Sequence, residues 1–132
     1  MPLLVPGEIT NADMILCTHT HPSHMDPGTL PQMLKASPRA KVVLAEEHRR
    51  TCLFHWHSVG SHDSDLRVEY FKNGPYARVY SVPSAHPELN WTPLGGYPYL
   101  GYLIRSGAWT IYHAGGCQWY EGIQRHRGAI AD

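Results

Sequence analysis

Three observations predict a layered α/β fold. Apolar runs alternate with helix-compatible segments through the first half of the chain. The second half is a series of short β-branched or aromatic runs separated by turn residues. The 132 residues are enough for one domain and no more, so residues 1–132 are read as a single unit.

Residues 14–18, Met-Ile-Leu-Cys-Thr, read as a short buried strand. Asp26-Pro27-Gly28-Thr29 then supplies turn and capping residues before a helix over 30–36, where Leu30, Met33 and Leu34 share one face. The valine-rich run 41–45 is a second strand, followed by helix-compatible 46–54; strands alternating with helices in this way pair in parallel. Residues 55–65 are polar and histidine-rich and read as a loop. Further strands are expected at 66–71, 77–82, 99–105 and 109–113, with Ser106-Gly107 as a two-residue turn that makes the last pair antiparallel. A helix is expected within 119–127. The chain has no internal repeat and no low-complexity tract.

Acids and bases balance at 11 each, which leaves no electrostatic footprint for nucleic acid or an anionic membrane. No segment approaches the roughly 18 consecutive apolar residues of a membrane span. Cys17, Cys52 and Cys117 are an odd set without close pairing, and Met1-Pro2-Leu3-Leu4-Val5-Pro6 has neither a charged start nor a long apolar core. These features predict a reduced, cytoplasmic protein. The ten histidines are the compositional anomaly.

Three of them follow the first strand directly, in Thr18-His19-Thr20-His21-Pro22-Ser23-His24. Residues two apart in an extended segment point the same way, so His19 and His21 can grip one ion, imidazole being a common ligand for zinc-like metals. Pro22 bends the chain before His24. His55 and His57 have the same spacing and, with His48 and His62, offer another histidine set. Asp26, followed by Pro27 and Gly28, reads as a turn residue and not as a catalytic acid. His113, on a strand, reads as packed or hydrogen-bonded; Cys117 reads as a small buried residue. Trp91 and Tyr97 follow His86 closely enough to line a pocket.

The histidine run resembles the His-x-His-x-Asp-His signature of the metallo-β-lactamase superfamily, with Ser23 where that signature has aspartate. Ser84-Ala85-His86-Pro87-Glu88-Leu89 looks like the next ligand histidine of that family. His113-Ala114-Gly115-Gly116-Cys117 is similar to its His-x-Gly-Asp-Thr segment, with Gly116 in place of the aspartate. The flanks Asn11-Ala12-Asp13, Met25-Asp26-Pro27 and Gly101-Tyr102-Leu103-Ile104-Arg105 resemble the L-ascorbate-6-phosphate lactonase-like branch.

The resemblance implies a four-layer αββα sandwich of which this chain holds the middle portion, truncated at both ends. It implies a first metal position made by His19, His21 and His86, with one tetrahedral place left open. Of the second position only His24 remains, so one divalent ion is expected, zinc first, manganese or iron as alternatives. His24, free of metal duty, is the expected catalytic proton carrier. The implied activity is hydrolysis of a lactone, ester or phosphoester on a small-molecule substrate, weakened by the two missing acids. A degenerate, non-catalytic domain that binds metal or associates with itself stays open as the alternative, as does a partial gene product without evolved function. Open strand edges lead to the expectation of a homo-oligomer.

Overall fold

The computed structural model describes residues 3–49, 58–61, 77–94 and 96–123. After a 3₁₀ turn at Pro6–Glu8, the chain forms strand β1 (Met14–Leu16), helix α1 (Leu30–Ala36), strand β2 (Lys41–Ala45), a single helical turn α2 (Glu46–Arg49) and strand β3 (Ser58–Ser61). Strands β4 (Ala77–Pro83), β5 (Leu100–Ser106) and β6 (Trp109–His113) follow. The first three strands make a parallel sheet in the order β1-β2-β3; the last three make an antiparallel sheet in the order β4-β5-β6.

Side-chain alternation along β2 explains how the layers stack. Val42 and Leu44 point to one face, where they meet Leu30 and Cys17 with Ile15, Met25 and Leu34 packed around them, so α1 covers that side. Val43 and Ala45 point the other way, onto Val79, Leu100 and Tyr102 of the second sheet. A strand buried on both faces reads as a continuous apolar run, as 41–45 does. The far face of the second sheet carries Tyr80, Val82 and Leu103, with Tyr112 against them. The result is a partial αββα sandwich.

One side chain ties the two sheets together. The Tyr102 hydroxyl, fully buried, donates to the carbonyl of Cys17 at 2.6 Å and lies 3.3 Å from that of Val43. Burial pushes its pKa well above the ordinary phenol value, so it stays a donor. The same strand end is held from β2, since Cys17 N–H donates to Val43 C=O at 2.9 Å.

The strands expected from the sequence at 14–18, 41–45, 77–82, 99–105 and 109–113 are all present within a residue or two. Three readings change. Ser58–Ser61 lies inside the expected loop, yet it forms β3, because β2 supplies a parallel partner from Val42 to Ala45. The β5–β6 turn is made by Gly107 and Ala108, since Ser106 pairs with Trp109; Gly107 takes the left-handed φ of +58° such a turn needs. Of the expected helix within 119–127, residues 119–122 are not helical, Ile123 is, and 124–127 lie outside the described residues. The expected strand at 66–71 lies outside the described residues, as do His55, His57 and His62. Among the described residues, no helix is long and apolar enough to cross a membrane.

Candidate metal centre

The site forms where the two sheets meet at one end of the sandwich. β1 runs into Thr18, whose carbonyl accepts the N–H of Leu100 at 2.9 Å, so the loop after β1 is fixed against the first residue of β5. Leu100 pairs with Pro83, the last residue of β4, and this brings the stretch leading to His86 alongside. Ser84 N–H donates to Tyr99 C=O at 2.9 Å, and Ala85 bridges to Gln118. The histidines thus arrive from both sheets.

His19, His21 and His86 offer ring nitrogens that all lie within 4.8 Å of one another, the only such set of three or more among the described residues. His19 is buried, His86 half-buried and His21 exposed, which leaves the cluster open on one side. Nδ1 of His86 is 3.1 Å from the carbonyl of Gly116 and Nδ1 of His19 is 3.0 Å from the hydroxyl of Thr18. Such outer hydrogen bonds orient a ligating imidazole and leave its Nε2 available. Nε2 of His19 is buried without a hydrogen-bond partner among the described residues. A buried polar atom with no partner is costly, and three converging imidazole nitrogens are a donor set a divalent ion satisfies. The residues therefore fit a metal.

Burial depresses the pKa of His19 to about 4, with smaller contributions from His24, His21, His86 and His48. The deepest member of the cluster stays neutral, the form that ligates, at any pH well above that value.

His24 lies against His19, with ring centroids 4.0 Å apart, but is outside the set of three. Its backbone N–H donates to His21 C=O at 2.8 Å in the tight turn that Pro22 begins. Ser23 is exposed beside it. Gly116 belongs to the site by position: a Cβ there would lie 3.2 Å from His86 Nδ1 and 3.6 Å from His19 Cε1. Asp26 is a turn residue, its carboxylate accepting from Gly28 N–H at 3.1 Å and from the Thr29 hydroxyl. His113 is exposed, with Nδ1 accepting Gly115 N–H at 3.1 Å. Cys117 is half-buried, less enclosed than the sequence suggests. His48 Nε2 lies 3.0 Å from Pro98 C=O.

Two site residues escape a reading of the sequence. Tyr99 places its ring 5.1 Å from that of His86, 5.4 Å from His19 and 6.4 Å from His21. Tyr97 packs into the inter-sheet core instead, and Trp91 is half exposed to solvent. Thr18 is the other. The position of Tyr99 follows from the pairing of Pro83 with Leu100, which only the assembled sheet reveals.

No protein-family model matches the chain, and no curated protein matches it. Solved structures do. Igni18, a novel metallo hydrolase from the archaeon Ignicoccus hospitalis, is similar with a TM-score of 0.61 at 17% identity, over 86% of this chain and 46% of that one. A candidate metal-dependent hydrolase from Parabacteroides distasonis gives 0.57 at 17% identity, over 89% and 50%. CmlA, a diiron β-hydroxylase from Streptomyces venezuelae, gives 0.57 at 21% identity, over 80% and 20%. The chain spans half or less of the length of each. The likeness establishes the fold: this chain has the layered α/β architecture on which these metal-dependent enzymes are built.

Proposed function

We propose that the chain is a metal-dependent hydrolase in which His19, His21 and His86 hold one divalent ion, zinc first, with manganese or iron as alternatives. Its substrate is a small lactone, ester or phosphoester, in keeping with the lactonase-like motifs. The observation that carries the reading is the Nε2 of His19, buried and without a hydrogen-bond partner among the described residues, beside two further imidazoles. The two hydrolase neighbours support the same class.

Held by His19, His21 and His86, an ion would supply Lewis acidity and make a water more acidic. The protein's own share is orientation. Gly116 C=O and the Thr18 hydroxyl set the rings of His86 and His19. We assign proton transfer to His24, whose ring lies against that of His19. Ser23 is not ionised near neutrality and Gly116 has no side chain, so neither readily takes a proton. Loss of a positioned acid or base removes about 10²–10⁴-fold of rate, and turnover is accordingly slow. Those two positions favour the second reading, a domain that binds metal without turnover. An odd set of three cysteines without close pairing suits the cytoplasm, and self-association is part of the proposal.

Elemental analysis of chain purified without a histidine tag tests the reading. Close to one ion per chain is expected, lost in His19→Ala and in His86→Ala and retained in His24→Ala; two ions per chain would overturn the assignment. Slow hydrolysis of a lactone or phosphodiester, abolished by chelation, separates enzyme from binding domain.

A further inference from the structure

One hydroxyl lies between two imidazoles. Thr18 Oγ1 is 3.0 Å from Nδ1 of His19 and 3.2 Å from Nδ1 of His24, in a residue that is only 5% exposed. Packing holds it there. An added Cβ on Gly115 would meet Thr18 Cγ2 at 3.0 Å, so the methyl face of Thr18 rests closely on that glycine, and the Thr18 carbonyl is fixed by Leu100 N–H.

A hydroxyl has one proton to give and lone pairs with which to accept, while a neutral imidazole carries one proton on one of two nitrogens. On the reading that His19 gives Nε2 to the ion, its proton sits on Nδ1 and is donated to Thr18 Oγ1. The single proton of Thr18 then has one acceptor among the described residues, Nδ1 of His24. That nitrogen must be bare, and the proton of His24 is on Nε2.

We propose that Thr18 is a positioning residue that sets the tautomers of both rings, leaving Nε2 of His19 bare for metal and making His24 an Nε2–H donor. His24 therefore meets a substrate oxygen by giving a hydrogen bond, which narrows the proton-transfer role assigned to it above. A valine would fill the same volume and do none of this; a serine would keep the hydroxyl.

Long-range proton–nitrogen-15 correlation spectra of the imidazoles show which ring nitrogen is protonated, and competition with a chromophoric chelator gives the zinc affinity. In the zinc-loaded chain His24 is expected to be protonated on Nε2. Thr18→Val should abolish that preference and weaken zinc binding about 10–100-fold, the usual cost of losing an outer hydrogen bond to a ligand; Thr18→Ser should restore both. His24 protonated on Nδ1 in the loaded parent would overturn the inference, and the parent and Thr18→Ser spectra decide this even if Thr18→Val fails to fold. So would Thr18→Val binding zinc as tightly as the parent. The metal-free chain separates this inference from the metal reading. There Thr18→Val must move the Nδ1 resonances of both His19 and His24, and if it moves neither the hydroxyl bridge does not exist. A parent that binds no zinc, yet shows both shifts, sinks the metal reading and supports the bridge.

Discussion

Burying an imidazole at His19 has a cost that depends on pH. Its pKa in the folded chain, about 4, lies below the value of about 6.5 expected when unfolded. Between those values the unfolded chain binds the proton and the folded chain does not, so stability rises with pH through that window. The metal-free protein is expected to lose stability as pH falls from about 6.5 towards 4, with no contribution from this group above the window. Urea titrations across that range check it; a free energy of unfolding that is flat from pH 7 to 4.5, with no compensating change in His19→Phe, would contradict it. The imidazole was legible in the sequence as a candidate ligand because of its spacing from His21. Its outer partners were not: Thr18 reads as the last residue of a strand, and Gly116 reads only as an absent acid until its carbonyl is seen against His86.

Elements were readable where one physical rule decided them. The run from Val42 to Ala45 is apolar because both of its faces are covered, and Leu30–Ala36 starts where Asp26 and Thr29 close a turn and stops at Ser37. β3 obeyed no such rule. Ser58-Val59-Gly60-Ser61 has no apolar run, and its extended form comes from backbone pairing with β2, a partner well before it in sequence. The β5–β6 turn was misplaced by one residue because Ser106 and Ala108 are equally acceptable beside Gly107, and the cross-strand pairs Ile104–Ile111 and Leu103–Tyr112 choose between them. Tyr99 illustrates the same limit at the site: a register across the second sheet, and not any local pattern, delivers its ring to the histidines.

At the scale of the molecule, β6 is an edge strand of the second sheet among the described residues, and its Trp109 and Ile111 are 77% and 58% exposed. Ile111 stands opposite Ile104, which packs between the sheets, so these exposed side chains lie on the inter-sheet face beyond the cover of the first sheet. An apolar edge of this kind is a template for pairing. Sedimentation velocity is expected to show a dimer or larger assembly that Trp109→Ser with Ile111→Lys shifts towards monomer; a monodisperse parent monomer would refute it. The origin of the ligands has a different consequence. His19 and His21 hang from one sheet and His86 from the other, so an ion held by all three is a clasp across the sandwich, closing the long loop between His21 and His86. Zinc at a hundred times its dissociation constant should raise the unfolding free energy by about 2.7 kcal/mol, a gain that chelation or His86→Ala removes in a urea titration. A cell short of metal would then leave the chain without that clasp. The unclasped chain would spend more time open, where proteases act on it, and its abundance would fall with its metal supply.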